Sequence, residues 1–248
     1  MELERTNLKI IIFIILFISN FVAYSGTINV GVLEFAPPFS SLSGDKNHYF
    51  GFTIDLMDEI CKRLHSECAF KAATVGEQIT LLNQGTIDVS FIPVPITTDQ
   101  AGNFIFSLPY LASNGQFISV DGGGVSTLAD LKNHNVGVLK DTLYSTLLKS
   151  PYVSVDKIKQ YTVITDLIAA LGNHEVDAIF VNDSVARFII NNAVHHLFLV
   201  GDKIHMGEGY AIMARKNNTD LIKQINQALL DMEQDGSYLR IYNRYFGY

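Results

Sequence analysis

The sequence is poor in basic residues. Its 248 residues include 18 lysines and arginines against 25 aspartates and glutamates, which gives a formal net charge of −7. The basic side chains form no cluster, so neither a nucleic acid nor an anionic membrane surface is expected as a partner. Low-complexity segments and short repeats are also missing from the sequence.

Residue patterns typical of hydrolytic or metal chemistry are missing as well. The sequence has no Ser/His/Asp, Cys/His or HExxH arrangement. His195 and His196 are adjacent, but no further histidine or carboxylate stands at a ligand spacing from them. We therefore predict no catalytic residue, no cofactor and no metal site.

Charge is absent from residues 10–18, and this apolar run follows Arg5 and Lys9. The run is shorter than the ~20 residues that a membrane span needs, and small residues precede a cleavage point near Ser25. We predict that residues 1–25 are a cleaved signal peptide that directs the chain to the periplasm. An uncleaved anchor is the alternative. No cysteine stands near the predicted cleavage point, which excludes a lipid on a mature N-terminal cysteine.

The order of apolar patterns predicts an α/β fold, because β-branched runs alternate with helical periodicity. The predicted strands cover residues 27–33, 68–73, 89–92, 136–139, 176–181, 197–200 and 211–215. The predicted helices cover residues 54–64, 77–84, 165–171 and 184–192, with a long helix around 221–232.

The stretch from Asp88 to Tyr110 predicts where a ligand binds. Its strand should stop near Ile92, because Pro93 and Pro95 lack the N–H group that a central strand needs. In open α/β sheets, ligands lie beyond the carboxyl ends of strands. The loop after Ile92 is therefore expected to form one wall of a pocket.

Three motifs in order resemble those of the periplasmic amino-acid-binding proteins of ABC importers, solute-binding protein family 3. Gly51–Leu56 reads Gly-Phe-x-x-Asp-Leu, Gln84–Asp88 reads x-Gly-x-Ile-Asp, and Phe106–Tyr110 reads Phe-Ser-x-Pro-Tyr. A Leu-x-Asp-Leu-Lys motif at 128–132 and a terminal Asp-Gly-x-Tyr motif at 235–238 extend the resemblance over nearly all of the chain after the predicted signal peptide.

This resemblance implies the two-lobed periplasmic binding protein fold, in which two hinge strands cross between the lobes. It places lobe 1 at residues 26–116 and 207–248, and lobe 2 at residues 117–206. It implies a monomer that closes on a small polar solute, an amino acid or a derivative of one. The partner that receives the solute is the membrane permease of an ABC transporter. After signal cleavage, no stable membrane insertion is expected.

Several positions that bind ligand in the family carry unusual residues here. The resemblance implies an arginine at position 100 and backbone donors at 93 and 95 for the ligand carboxylate, and an acid at 182 for its ammonium. Gln100 cannot form the bidentate charged pair, and proline has no N–H group. Gln100 and Asn182 are neutral amides, which suits a ligand less zwitterionic than a free amino acid. The predicted ligand-binding residues are Phe35, Phe39, Val75, Ile92, Pro93, Gln100, Leu139, Thr142, Leu143, Tyr144, Asn182 and Asp183.

Some of these residues have a structural alternative. The family carries a large stacking group at the position of Val75, and Phe35, Phe39 or Tyr144 could replace that aromatic surface or belong to the core. Thr142 could contact ligand or only cap the following helix, and Asp183 could only cap the helix at 184–192.

Cys61 and Cys68 are the two cysteines of the sequence. In one continuous helix their Cα atoms would be ~10.5 Å apart, beyond the ~7 Å limit for a disulfide. A bridge therefore requires the helix to end between them, which the extended run after Cys68 favours, and two buried thiols are the alternative. The resemblance implies a bridge, because one basic-amino-acid-binding branch of the family carries it.

Two further functions remain as alternatives to a transport receptor. A periplasmic dehydratase shares the implied fold, and an enzyme of that kind would need a general acid in the cleft, for which Asp183 and Glu208 are the candidates. A sensory binding protein that presents its ligand to a receptor is the other alternative.

Overall fold

The structure is a computed structural model that describes residues 26–44, 48–92, 102, 104–140, 142 and 152–247. The predicted signal peptide and four predicted ligand-binding residues, Pro93, Gln100, Leu143 and Tyr144, lie outside the described residues.

Two five-stranded sheets form the centres of the two lobes. The strands are β1 (Thr27–Val32), β2 (Phe35–Ala36), β3 (Ser40–Leu42), β4 (Tyr49–Phe50), β5 (Glu67–Ala72), β6 (Val89–Ser90), β7 (Phe104–Phe106), β8 (Gly115–Val120), β9 (Val136–Leu139), β10 (Ile158–Tyr161), β11 (Ala178–Asn182), β12 (Leu197–Ile204) and β13 (Met213–Arg215). The first sheet has the order β5-β1-β6-β13-β7 and the second the order β10-β9-β11-β8-β12.

Six α-helices pack against these sheets within the described part of the chain. They are α1 (Phe52–Arg63), α2 (Val75–Gln84), α3 (Ile164–Gly172), α4 (Asp183–Asn192), α5 (Thr219–Gln234) and α6 (Ser237–Phe246). None of these helices is both long and apolar enough to span a membrane. The α/β class and the two-lobed architecture predicted from the sequence are confirmed.

The chain crosses between the sheets in two segments that pair with each other. The Tyr110 N–H donates to the Tyr210 carbonyl at 2.8 Å, and the Tyr210 N–H donates to the Leu111 carbonyl at 2.7 Å. Beyond this pairing, β8 enters the second sheet, while β13 returns antiparallel to β6 and β7 of the first. The limits of the lobes, residues 26–116 with 207–248 and residues 117–206, remain a prediction.

A short stretch outside the predicted strands contains extended structure. No strand was predicted for residues 35–39, but Phe35 and Ala36 pair with Ser41 and Ser40 in a small antiparallel sheet of β2, β3 and β4. The pairing partner lies after two consecutive prolines, so no alternating apolar run announces it. This small sheet carries Phe35 at the edge of the first lobe.

The predicted disulfide is confirmed. Helix α1 ends at Arg63 and β5 begins at Glu67, so the chain reverses between the cysteines. Cys61 and Cys68 are bridged, with their Cα atoms 5.9 Å apart. The bridge therefore joins α1 to the edge strand of the first sheet.

Candidate ligand-binding cleft

A cavity of about 430 Å³ lies between the two lobes. Its walls come from the ends of several elements of both sheets, as the rule for α/β sheets predicts. The lining residues are Leu33, Glu34, Phe35, Ala36, Pro37, Phe39, Ala72, Ala73, Thr74, Val75 and Glu77 from the first lobe, Leu139, Lys140, Thr142, Thr162, Val163, Ile164, Val181, Asn182 and Val185 from the second, and Tyr210 from the second crossing segment.

The structure brings six of the predicted ligand-binding residues together around this cavity. They are Phe35, Phe39, Val75, Leu139, Thr142 and Asn182. Their direct contact with a ligand remains a prediction. Residues at the ends of β1, β5, β9 and β11 thus meet in one place, although they are far apart in sequence.

Ile92 and Asp183 do not line the cavity. Ile92 is buried in a small apolar cluster with Leu82, Ile87 and Met213. Asp183 is the first residue of α4, and its Oδ1 lies 3.3 Å from the Arg187 guanidinium.

The two aromatic candidates of the first lobe have different surroundings. Phe39 is 8% exposed and packs edge-on against Tyr210, with 6.1 Å between ring centroids. Phe35 is 49% exposed. Phe39 therefore belongs to the core while also lining the cavity, and Phe35 offers open aromatic surface.

Gly51 helps to position Phe39. The Phe39 carbonyl accepts hydrogen bonds from the Thr53 N–H and hydroxyl, at 3.0 and 2.9 Å. Gly51 stands at φ 133°, and a Cβ atom at this position would collide with the Phe39 carbonyl. Only glycine permits this close approach of two backbone segments.

Asn182 is buried and its amide is fully engaged by the protein. Its Nδ2 donates to the carbonyls of Ala112 and Asn114 in the first crossing segment, at 3.2 and 3.3 Å. Its Oδ1 accepts the Ser184 N–H at 2.9 Å, so Asn182 caps α4. The capping predicted for Asp183 is therefore wrong, because the helix begins one residue earlier than expected.

Thr142 is buried at the cavity, and its hydroxyl donates to the Leu139 carbonyl at 2.7 Å. The helix that Thr142 was predicted to cap lies outside the described residues. The capping role of Thr142 therefore remains a prediction.

Sequence reasoning missed the charged residues of the cavity, which are Glu34, Glu77 and Lys140. Glu34 follows the end of β1 by two residues, and Lys140 directly follows β9. The rule that ligands bind beyond the carboxyl ends of strands pointed to the loop after Ile92. Applied equally to β1 and β9, the same rule would have selected Glu34 and Lys140.

One oxygen of the Glu77 carboxylate binds the start of α2. Its Oε2 accepts hydrogen bonds from the Thr74 N–H and the Thr74 hydroxyl, each at 2.8 Å, in a capping box. These hydrogen bonds lower the pKa of the Glu77 carboxyl. Glu77 therefore serves the helix at the edge of the cavity.

The two lobes, the crossing segments and the cavity between the lobes define a periplasmic binding protein of the two-lobed class. Residues 28–248 match the model of the bacterial extracellular solute-binding proteins, family 3. The chain belongs to this family.

Known relatives agree with this assignment. The L-cystine-binding protein TcyJ of Escherichia coli K12 is 29% identical over 230 residues, covering 92% of this chain and 85% of that protein. The crystal structure of an arginine 3rd transport system periplasmic binding protein from Legionella pneumophila is 37% identical with a TM-score of 0.82, covering 90% of this chain and all of that one. An ancestral arginine-binding protein bound to glutamine is 31% identical with a TM-score of 0.80, covering 90% of this chain and 99% of that one. These relatives are binding proteins.

Proposed function

We propose that this protein is a periplasmic receptor that binds an amino acid, or a close derivative of one, between its lobes and delivers it to an ABC transporter permease. The observation that carries the proposal is the composition of the cavity, which takes its walls from both lobes. A ligand in this position touches both lobes at once, so its binding energy favours the closed arrangement.

The size and the walls of the cavity support a small solute. A volume of about 430 Å³ lies within the range of small-molecule sites, ~300–1,000 Å³. Phe35 of the first lobe and Val163 of the second are 49% and 43% exposed, and both line the cavity. Closure on a ligand would remove this apolar surface from water, which stabilises the closed state.

The relatives support the chemical class of the solute. The three comparisons above carry cystine, arginine and glutamine in their names, so the family pocket accommodates amino acids of different size and charge. We infer that the chain acts in the periplasm after cleavage of its signal peptide, as a monomer and without chemical change to the solute. Glu208, a candidate general acid, lines a separate depression beside the crossing segments.

A thermal-shift experiment tests the proposal. The protein is unfolded and refolded to remove bound solute, and its melting temperature is measured with L-cystine, L-arginine, L-glutamine and the other amino acids. A ligand at ~100 times its dissociation constant adds ~2.7 kcal/mol to the free energy of unfolding. At ~2–4 °C per kcal/mol for a chain of this size, the melting temperature should rise by several degrees.

Two variants locate the binding site. Phe35→Ala should reduce the ligand-induced shift, because Phe35 lines the cavity. Phe50→Ala is the matched control, since Phe50 lies in the same small sheet, is 50% exposed and is not among the lining residues. A wild-type protein that responds to no amino acid would contradict the proposed function, and so would equal losses in the two variants. Recovery of a converted solute would favour the enzyme instead.

A further inference from the structure

The charged residues of the cavity have opposite signs on opposite lobes. Glu34 lies on the first lobe, directly before β2, and Lys140 lies on the second, directly after β9. An amino acid carries one positive and one negative group. A cavity that carries one charge of each sign on different lobes has the two charges that complement such a ligand.

Two other polar groups that could bind an ammonium already make hydrogen bonds within the protein. The Glu77 carboxylate accepts two hydrogen bonds from Thr74 at the start of α2. Asn182 directs its Nδ2 donors to the crossing segment and its Oδ1 to Ser184. Asn182 is also uncharged, so it offers an ammonium no ion pair. The position at which the family would hold the ligand ammonium therefore serves the hinge in this protein.

Glu34 and Lys140 differ from these groups. Both side chains are exposed, and neither charged group has a hydrogen bond or ion pair to another described residue. Their backbones are nevertheless held. The Glu34 carbonyl accepts the Leu42 N–H at 2.9 Å, and the Lys140 N–H donates to the Tyr161 carbonyl at 2.8 Å. Both charged side chains thus start from backbone positions that hydrogen bonds hold in the cavity wall.

We propose that Glu34 binds the ammonium of the ligand and Lys140 binds its carboxylate. This inference rests on the proposed function and specifies its ligand as a zwitterion with a free amino group and a free carboxylate. It replaces the expectation of a less zwitterionic ligand, which considered only positions 100 and 182 and left out Glu34 and Lys140. The resemblance implied a cation on the first lobe, at position 100, and an acid on the second, at position 182. The charges of the described cavity have the reverse order. The ligand is therefore turned end for end relative to that implied pose.

The chemistry of lysine gives this arrangement a recognisable property. A lysine ammonium is a compact point charge, whereas arginine binds a carboxylate through a rigid two-pronged fork. The interaction of Lys140 with the ligand therefore depends more on the charge of the carboxylate than on the orientation of the carboxylate. Binding should depend strongly on whether the ligand carries that charge.

The test compares dissociation constants, measured by isothermal titration calorimetry, for three forms of each probe. The probes are L-cystine, L-arginine and L-glutamine, each as the free amino acid, with its carboxylates converted to amides, and with its amino groups acetylated. Charge-assisted pairs predict that wild-type protein binds the free form of its ligand about 10-fold or more tightly than either modified form.

The variants assign each group of the ligand to one residue. Lys140→Gln should weaken binding of the free form about 10-fold or more and abolish the preference over the amide, leaving the preference over the acetylated form. Glu34→Gln should weaken binding of the free form by a similar factor and abolish the preference over the acetylated form, leaving the preference over the amide. Lys203→Gln and Glu67→Gln are the matched controls, because both residues are exposed charges of the respective lobes that do not line the cavity. The melting temperatures of the ligand-free variants check that they are folded.

The outcomes separate this inference from the proposed function. A wild-type protein that binds no probe in any form would overturn the proposed function and this inference with it. A wild-type protein that binds an amino acid, together with a Lys140→Gln variant that still prefers the free form over the amide, would overturn this inference alone. A Glu34→Gln variant that still discriminates against the acetylated form would do the same.

Discussion

The two lobes have similar sheets, but the contacts that hold the segments of each lobe together differ. The first lobe collects segments from both ends of the described chain, since β1 and β13 belong to one sheet and α5 and α6 follow it. The second sheet is built from strands between Gly115 and Ile204 without interruption by the other lobe.

Side chains join the separate segments of the first lobe. The Arg63 guanidinium donates to Asp235 at 2.7 Å and to the Ser237 hydroxyl at 2.9 Å. The Tyr245 hydroxyl donates to Asp55 at 2.8 Å, and Arg244 pairs with the same carboxylate. In each case α1 is tied to the end of the chain.

In the second lobe, the described contacts between acidic and basic side chains are more local or more exposed than these contacts of α1 with the C-terminal segment. Asp183 pairs with Arg187 within one helix, and the side chains of His196 and Asp121 are 78% and 67% exposed. The core of the second lobe contains an aromatic contact between Phe117 and Phe180, whose ring centroids are 4.4 Å apart. The discontinuous lobe thus joins its segments through less exposed ion pairs, while side chains of the continuous lobe reach distant strands by hydrogen bonds to the backbone, as Gln116 does to the Val200 and Gly201 carbonyls.

The largest expected effect comes from Phe52, which is fully buried in the first lobe. Its ring packs against Tyr110 at the crossing and against four aromatic rings of α6, with the Phe246 centroid 5.0 Å away. Phe52→Ala should lower the free energy of unfolding by about 3–5 kcal/mol, as measured by urea denaturation. Leu239→Ala in α6 is the control, because Leu239 is 57% exposed and should change stability by less than about 0.5 kcal/mol. Equal losses would show that this aromatic cluster does not join the segments.

Removal of the disulfide should have the next largest effect. Cys61 and Cys68 are seven positions apart. Opening so short a ring raises the entropy of the unfolded chain and lowers the free energy of unfolding by about 2–3 kcal/mol. The Cys61→Ala/Cys68→Ala variant should therefore have a lower urea midpoint. Its amide hydrogens in the last turn of α1 and in β5 should exchange faster, while those in β9 and β11 keep their wild-type rates. Faster exchange confined to the second lobe would contradict the conclusion that the disulfide stabilises the first lobe.

The smallest effect concerns the pH dependence of the first lobe. Hydrogen bonds from the Ser237 hydroxyl and N–H, together with Arg63, hold the pKa of the Asp235 carboxyl below its usual range. A depressed folded-state pKa stabilises the protein above the unfolded value of ~3.9, and this contribution is lost as the pH falls through the folded-state value.

The urea midpoints of wild type and Asp235→Asn should therefore differ at neutral pH and converge as the pH falls below ~4. Asp202→Asn is the control from the second lobe, since Asp202 is an exposed residue of β12. A constant difference between wild type and Asp235→Asn across the acid range would refute the electrostatic explanation.

Local periodicity predicted most of the secondary structure. Strand β9 has the predicted limits, residues 136–139, and α1 begins two residues before the predicted helix at 54–64. These elements have strong two-residue or 3.6-residue patterns. The sheet of β2, β3 and β4 was missed, because its strands are two or three residues long and are defined by their partners.

The candidate cleft was predictable only in part. The family resemblance led to the prediction of Phe39, Leu139 and Thr142 as ligand-binding residues, and all three line the cavity. No motif pointed to Glu34 or Lys140, because single charged residues next to strands are common in any sequence. The role of Asn182 was also hidden, since its amide partners lie about seventy residues earlier in the chain.

The amino-acid sequence alone thus indicated the order of most helices and strands, the family and the possibility of the disulfide. Each of these follows from local residue patterns or from motifs read in order along the chain. The geometry of the cleft depends on contacts between distant segments, such as the pairing of Leu111 with Tyr210 and the approach of Gly51 to Phe39. The folded chain therefore determines that Asn182 serves the hinge and that Glu34 and Lys140 line the cavity from opposite lobes, because both results require the two sheets to be in place.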